Sequence, residues 1–376
     1  MSAHTIQAAN PGAGYLARKA EIDEAVAEVL GSGWYILGKK VASFEKVFSN
    51  FVGARFGIGV ASGTDALLLA LRSCGVGPGD AVVTVSHTAV ATVAAIVMAG
   101  AVPILVDIDV ETFTIDAAAL EATLAGGSEL TIKAVVPVHL YGHPADMGRV
   151  LDLAREYGIH VVEDCAQAHG ARIGDQMTGS FGDLGAYSFY PTKNLAALGD
   201  GGAVVTNNPQ FHERANMLRQ YGWRERYVSE TTGMNSRLDE IQAAILQVKL
   251  KHLHADNERR REIAREYNRR LSETNLVLPR ERKGCYHVYH QYVVRTPRRD
   301  ALKQYLAQQG VGASILYPQP VHLQAGYAPL IRRGVGELQV SEMVCDDLLC
   351  LPIYPELTDR EVARVCDAIL EWEREN

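Results

Sequence analysis

No stretch of this chain approaches the roughly 20 consecutive apolar residues that a membrane-spanning helix needs, so no span is expected. No block of basic residues occurs either, and the net charge is -7. That balance excludes a general nucleic-acid binder and leaves any bound nucleotide as a small ligand. The opening residues, Met1 to Gln7, lack a basic segment followed by an apolar one, so no secretory leader is expected. The six cysteines (Cys74, Cys165, Cys285, Cys345, Cys350, Cys366) never fall in a Cys-x-x-Cys pair. Metal or iron–sulfur ligation is therefore not expected, whereas free thiols in a reducing cytoplasm are. Internal repeats and low-complexity segments are also missing.

What is present is an ordinary globular balance, 47% hydrophobic and 22% charged, in 376 residues. That length suits a large domain plus a smaller one. Residues 16–30 place Ile22, Val26, Val29 and Leu30 on one helical face, and a second helix is predicted over Val41–Phe51. Beyond them strands are predicted at Phe56–Val60, Ala81–Val85, Val102–Val106, Ala134–Val138, His160–Glu163, Gly185–Tyr190 and Ala203–Thr206. Helices at Asp65–Arg72, Ala89–Ala99, Asp116–Leu124 and Asp146–Glu156 separate several of them. Short β-rich runs joined by helices imply an α/β fold, a mostly parallel sheet covered on both faces. The carboxyl ends of such strands gather at one edge, where ligands bind. Ser62, Asp107, His139, Asp164 and Lys193 fall just beyond those ends. A long charged helix over residues 238–272 leads into a tail of mixed elements. The tail has strands at Tyr289–Val294 and Ala313–Leu316 and helices at Asp300–Gln309 and Asp359–Glu371. The expected division is a large domain over 1–245 and a smaller α+β domain over 246–376.

Three groups carry chemistry. Lys193 is the only lysine between Lys133 and Lys249, and its neighbours are small or apolar. A lone amine in such surroundings loses hydration, its pKa falls, and it becomes a nucleophile toward carbonyls. In Ala61-Ser62-Gly63-Thr64-Asp65 a strand gives way to a helix, whose free N–H groups and dipole suit a phosphate. Equally, Ser62 or Thr64 serves as a simple helix cap; the segment is neither a Walker loop nor Gly-x-Gly-x-x-Gly. The Glu163-Asp164 pair closes a buried strand, which is costly unless it faces a partner or an open site. Asp164 could meet a protonated ring nitrogen, and Gln167 could donate to a phenolate oxygen. A phosphate cradle, a carboxylate and an isolated lysine together suit pyridoxal 5′-phosphate.

Longer motifs point the same way: Gly33-Trp-Tyr-Ile-Leu-Gly38, Ser62-Gly-Thr-Asp-Ala-Leu67, Pro137-Val-His-Leu-Tyr-Gly142 and Glu163 to Gly170. Ser188-Phe-Tyr-Pro-Thr-Lys-Asn194, Gly199-Asp-Gly-Gly202, Asn235-Ser-Arg-Leu-Asp-Glu240 and Tyr317-Pro-Gln-Pro-Val-His322 follow. In these the chain resembles the DegT/DnrJ/EryC1/StrS sugar aminotransferases, which have the aspartate aminotransferase-like architecture of fold-type I pyridoxal phosphate enzymes. The resemblance implies that Lys193 bonds the cofactor aldehyde and shuttles a proton, while Asp164 keeps the pyridine nitrogen protonated. It implies that Gln167 binds the ring oxygen and that Gly63, Thr64 and Ser188 bind the phosphate. Asn235 matches a residue that reaches the phosphate from a neighbouring subunit, so a homodimer with shared sites is expected. Arg237 matches a donor-carboxylate contact, and Trp34, Tyr35, Tyr190, Tyr317 and His322 match a sugar-nucleotide cleft. The implied reaction passes nitrogen from L-glutamate, through pyridoxamine phosphate, to a nucleotide-linked keto sugar, with a dTDP-linked 3-keto-6-deoxyhexose the nearest pattern.

Two positions depart from the family. Ala89 stands where an aromatic usually stacks on the cofactor ring, which leaves that face to His87 or another side chain. Leu316 stands where the family commonly has histidine before Tyr317-Pro318, removing a candidate sugar contact. Two alternatives stay open: a sugar dehydratase, in which histidine usually replaces the lysine, and a regulatory protein on the same fold.

Overall fold

The computed structural model describes residues 5–375; Met1 to His4, on which part of the leader reading rests, lie outside the described residues. Three helices come first, α1 (Pro11–Leu16), α2 (Lys19–Ser32) and α3 (Lys39–Val52). The helix expected over residues 16–30 is α2, which starts at Lys19; Leu16 closes the separate α1, and Ala17-Arg18 lies between them. Leu30 is 54% exposed and lies off the face that buries Ile22 and Val29. Strict alternation then follows: β1 (Phe56–Val60), α4 (Gly63–Ser73), β2 (Asp80–Val85), α5 (Val90–Met98), β3 (Val102–Val106) and α6 (Ala117–Ala125). It continues with β4 (Thr131–Val135), α7 (Met147–Tyr157) and β5 (His160–Asp164). A short excursion, β6 (Arg172–Ile173) and β7 (Gln176–Met177), precedes β8 (Leu184–Ser188) and β9 (Gly202–Thr206). Then come α8 (Pro209–Leu218), a hairpin of β10 (Trp223–Glu225) and β11 (Val228–Ser229), and the long α9 (Glu240–Leu271). The tail holds β12 (Cys285–Tyr286), β13 (Tyr292–Arg295), α10 (Arg299–Gln308), β14 (Arg332–Arg333), α11 (Gln339–Asp347), β15 (Leu348–Leu351) and α12 (Asp359–Glu375).

Eight strands form the main sheet in the order β1-β9-β8-β5-β4-β2-β3-β14. Pairing is antiparallel at β1–β9 and β9–β8 and parallel across the rest, as expected for a mostly parallel α/β sheet. All of β9, and β2 from Ala81 onward, is buried, because helices cover both faces. Behind the sheet α4 buries every residue from Ala66 to Leu71. Among the described residues no helix is long and apolar enough to cross a membrane.

Residue 246 falls inside α9. Ile245 and Val248 pack on Ile22 of α2, whereas Ile263, Ala264, Tyr267 and Leu271 join a second core with β13, β15, α10 and α12. One helix therefore runs from the large sheet's flank into the C-terminal core. The run Ala313–Leu316 forms no strand; only Ser314 makes a bridge, to Cys350. The strand that pairs with β13 is β15, Leu348 to Leu351, which the sequence reading did not single out. The strand expected at Ala134–Val138 ends at Val135, although Val136 still donates to the Val83 carbonyl at 2.8 Å. Asp107 accepts from the N–H groups of Val340 and Ser341 and from Ser341 Oγ, which fastens the start of α11 to the end of β3. It is a cap joining the two halves of the molecule, not a ligand group.

Candidate active site

Strand alternation sends Glu163 and Asp164, the last two residues of β5, to opposite sides. Glu163 is fully buried and its carboxylate is saturated. His139 Nε2 and the Gly179 N–H donate to Oε2 at 2.9 and 2.7 Å, and the Phe181 and Gly182 N–H groups donate to Oε1 at 2.8 and 2.7 Å. His139 Nδ1 in turn accepts from the Ala145 N–H at 2.9 Å, which fixes the tautomer. His139, Glu163 and Cys165 bring ligand atoms within 4.8 Å of one another. With the histidine and carboxylate lone pairs spent, only the Cys165 sulfur would be left for a metal. The acidic pair is half structural.

Asp164 is the other half. It is buried, and Oδ2 accepts from Thr92 Oγ1 at 2.8 Å while Oδ1 accepts from the Ala166 N–H at 3.1 Å. Thr92 gives its one proton to Asp164, so Thr88 Oγ1, 2.9 Å away, is the donor to Thr92. Burial pushes the Asp164 pKa up, against the pull of those hydrogen bonds and of the Lys193 charge. A desolvated carboxylate in this condition is short of a cation. Lys193 is half-buried on the loop after β8, held by Lys193 N–H to Tyr190 O and Ala197 N–H to Phe189 O, both 2.8 Å. Desolvation lowers its pKa to about 8, with Asp164 pulling the other way.

The predicted phosphate cradle sits beside these two. Ser62 Oγ accepts from the Asp65 N–H at 3.1 Å, so Ser62 is the cap of α4, and the free N–H groups of Gly63 and Thr64 begin the helix. A Cβ on Gly63 would lie 2.5 Å from Ser188 Cβ, which brings the α4 start and the end of β8 into direct contact. Gln167 is locked: its Oε1 accepts from the Tyr141 N–H at 2.7 Å and its Nε2 donates to Tyr317 Oη at 3.0 Å. One amide proton remains for a ligand, and Tyr317 stands beside both Gln167 and Asp164.

Not every predicted residue joins this group. His322 is buried with both nitrogens engaged, Nδ1 2.6 Å from Ser86 Oγ and Nε2 2.9 Å from Glu342 Oε1, so it does not line a cleft. His87 is likewise buried, Nε2 2.7 Å from Tyr141 Oη and Nδ1 3.3 Å from Cys345 Sγ, and desolvation lowers its pKa to about 4. It does not cover the cofactor face left open by Ala89, which is half-buried at the N-cap of α5. Trp34, Tyr35 and Tyr190 are exposed. Trp34 and Tyr35 belong to a loop set by Glu240, whose carboxylate accepts from the N–H groups of Gly38, Lys40 and Val41. Asn235 is exposed and Arg237 half-buried. Between them Ser236 accepts from the Ala61 N–H and donates to Asp65, which ties this segment to α4. Thr92 went unnoticed in the sequence, and Thr88 was seen only as the residue before Ala89 with no role toward Asp164; their i, i+4 spacing at the start of a helix facing a strand end was the available signal.

A buried carboxylate short of a cation, a half-buried amine near neutrality and an anion cradle too tight for a Cβ fit the three ends of pyridoxal 5′-phosphate. Comparison with known proteins agrees. The family described as DegT/DnrJ/EryC1/StrS aminotransferases matches residues 17–370. The chain is 44% identical over 361 residues to the dTDP-3-amino-3,4,6-trideoxy-alpha-D-glucose transaminase of Streptomyces venezuelae, covering 96% of this chain and 94% of that one. It is 43% identical over 359 residues to a pleiotropic regulatory protein of Geobacillus stearothermophilus, covering 95% of each. The crystal structure of S. venezuelae DesV in complex with a ketimine intermediate superposes with a TM-score of 0.94 at 43% identity, over 98% of this chain and 99% of that one.

Proposed function

The chain belongs to the DegT/DnrJ/EryC1/StrS aminotransferase family, and from that premise we propose that it moves an amino group from L-glutamate to a nucleotide-linked keto sugar. The acceptor we favour is a dTDP-linked 3-keto-6-deoxyhexose, on the strength of the Streptomyces venezuelae relative. The observation that carries the reading is the pairing of Asp164, buried without a full counter-charge, with Lys193 across a site that Gly63 and Ser188 close.

Bound pyridoxal phosphate supplies an electron sink that makes the α-hydrogen of an amine acidic and stores the nitrogen between half-reactions. Asp164 would hold a proton on the ring nitrogen, and Thr88 and Thr92 orient its Oδ2 for that task. Gln167 would give its free N–H to the ring oxygen, and the N–H groups of Gly63 and Thr64 with the hydroxyl of Ser188 would hold the phosphate. Lys193 would hold the aldehyde end of the cofactor, and its Nζ, when free, would take up and return a substrate proton. A pKa of about 8 lets it do both near neutral pH.

Exposed Trp34, Tyr35, Tyr190, Asn235 and the β10–β11 hairpin suit a face covered by a second copy, so the working form is a homodimer with Asn235 reaching across. Arg237, with no hydrogen bond or ion pair among the described residues, is the group we assign to the donor carboxylate. The six free cysteines suit a cytoplasmic enzyme. Lysine rather than histidine at position 193 disfavours a dehydratase, and the intact set of Asp164, Gln167 and Lys193 disfavours a purely regulatory role. Purified protein should carry a visible absorption band that Lys193→Ala abolishes, and glutamate plus a panel of keto sugar nucleotides should yield an amino sugar by mass and NMR. Borohydride-fixed cofactor persisting in Lys193→Ala would overturn the assignment.

A further inference from the structure

Lys249, Asp256 and Arg260 follow one another along α9 at spacings of seven and four residues, so they share one face of the helix. That face lines a cavity of about 70 Å³, bounded elsewhere by α1, Arg18, the loop that carries Lys193, and residues 353–356 after β15. The space suits a group of a few non-hydrogen atoms. Besides Lys193, three cations border it (Arg18, Lys249 and Arg260) against two carboxylates, Asp256 and Glu356. Both carboxylates are taken by Arg18, whose Nη2 lies 2.5 Å from Asp256 Oδ1 and whose Nη1 lies 3.5 Å from Glu356 Oε1. Arg260 is only 6% exposed and has no carboxylate of its own. Its Nη1 donates to the carbonyls of Ile353 at 2.9 Å and Tyr289 at 3.3 Å. Its Nε is buried without a partner, and Nη2 makes no hydrogen bond among the described residues. Lys249, half-buried, likewise makes no hydrogen bond or ion pair among the described residues. Desolvation, helped at Lys249 by the Arg18 charge, lowers Lys249 to about 8 and Arg260 to about 10, although Asp256 and Glu356 pull both up.

We propose that this cavity is a site for one small carboxylate anion, held by the Nε–Nη2 edge of Arg260 and by the Lys249 ammonium. With Nη1 spent on carbonyls, the remaining edge of the guanidinium is one that presents two parallel N–H groups, which match the two oxygens of a carboxylate. A single negative charge also completes the balance of Arg18, Lys249 and Arg260 against Asp256 and Glu356. Two further titratable groups on the wall carry no charge near neutral pH: burial raises Tyr354 to about 12 and holds His290 well below its ordinary value. The site is apart from the cofactor group, since Asp164, Gln167, Gly63 and Ser188 do not line it and Lys193 alone borders both. A bound anion therefore acts on the chemistry only through Lys193, whose pKa it raises.

The test uses the full-length protein with its cofactor and follows ¹³C-labelled acetate by NMR line broadening at constant ionic strength. Wild type should bind acetate, with affinity falling as pH rises from 7 to 9.5, because Lys249 loses its proton. Lys249→Met gives up no hydrogen bond within the chain and should weaken binding at least about tenfold. Arg260→Lys keeps the charge but not the paired N–H groups and should weaken it comparably. Acetate that binds Lys249→Met as tightly as wild type sits elsewhere, at Arg237 for instance, and overturns the proposal, as does an absence of binding to wild type. Chloride that displaces acetate at equal concentration overturns the choice of a carboxylate. Should Arg260→Lys not fold, Lys249→Met and the pH series decide. Failure of the transaminase reading would appear separately, as no borohydride-fixed cofactor on Lys193.

Discussion

Glu163→Gln is the sharpest test of the division between the two adjacent carboxylates. Each oxygen of Glu163 accepts two hydrogen bonds, from Phe181 and Gly182 at Oε1 and from Gly179 and His139 at Oε2. Glutamine turns one oxygen into an NH₂, so one pair of donors must face another donor. His139 cannot rescue the contact by shifting its proton, because Nδ1 already accepts from the Ala145 N–H. Two hydrogen bonds to a charged acceptor are lost, at about 1.5–3 kcal/mol each, so the variant should be less stable by about 3–6 kcal/mol. Reversible urea unfolding of the cofactor-free protein measures this, with thermal melting expected several degrees lower. A loss under about 1 kcal/mol would refute the reasoning, since it would mean the four donors find other partners. Stability that instead collapses with a metal chelator in the wild type would point to a metal at His139, Glu163 and Cys165.

Asp164→Asn should do the opposite: stability at pH 7 stays within about 1 kcal/mol, because burial already opposes the carboxylate, while the transamination rate falls at least about a hundredfold in steady-state assays. Lys193 and Lys249 each titrate at about 8 in the folded chain, against 10.5 for a free lysine, through desolvation. The unfolded chain therefore binds more protons above pH 8, and stability of the cofactor-free protein should rise from pH 8 toward 10, by up to about 3 kcal/mol for each lysine. Lys193→Met should remove about half of that slope in denaturation series, and a flat wild-type profile would contradict both low values. Gly63→Ala puts a methyl 2.5 Å from Ser188 Cβ, so cofactor affinity by fluorescence titration should drop about tenfold with little change in far-UV circular dichroism.

Much of this architecture was legible in the sequence because the sheet is buried on both faces. β1 and β3 were bounded correctly, and the helices between the early strands to within a residue or two, since short apolar runs set between turn residues and helix caps leave little choice. Elements made by the C-terminal half were less legible. β14 is two exposed arginines, the Ala313–Leu316 run forms no strand, and β15, unread in the sequence, pairs with β13, outcomes decided by packing rather than by periodicity.

The site divides along the same line. Spacing along the chain was enough to single out Lys193, Asp164 and the Ser62-Gly63-Thr64 turn, because strand ends, helix starts and a lone lysine are local properties. What each polar group is spent on is not local. Asp107, His139 and Glu163 stand at the same sheet edge, but Asp107 and Glu163 are used up by N–H donors distant in sequence and His139 by Glu163 and the Ala145 N–H, while His87 and His322 are used up by Tyr141, Cys345, Ser86 and Glu342. Hydrogen bonds saturate, so only the folded chain, by bringing distant donors to each acceptor, decides which groups at that edge remain free for chemistry.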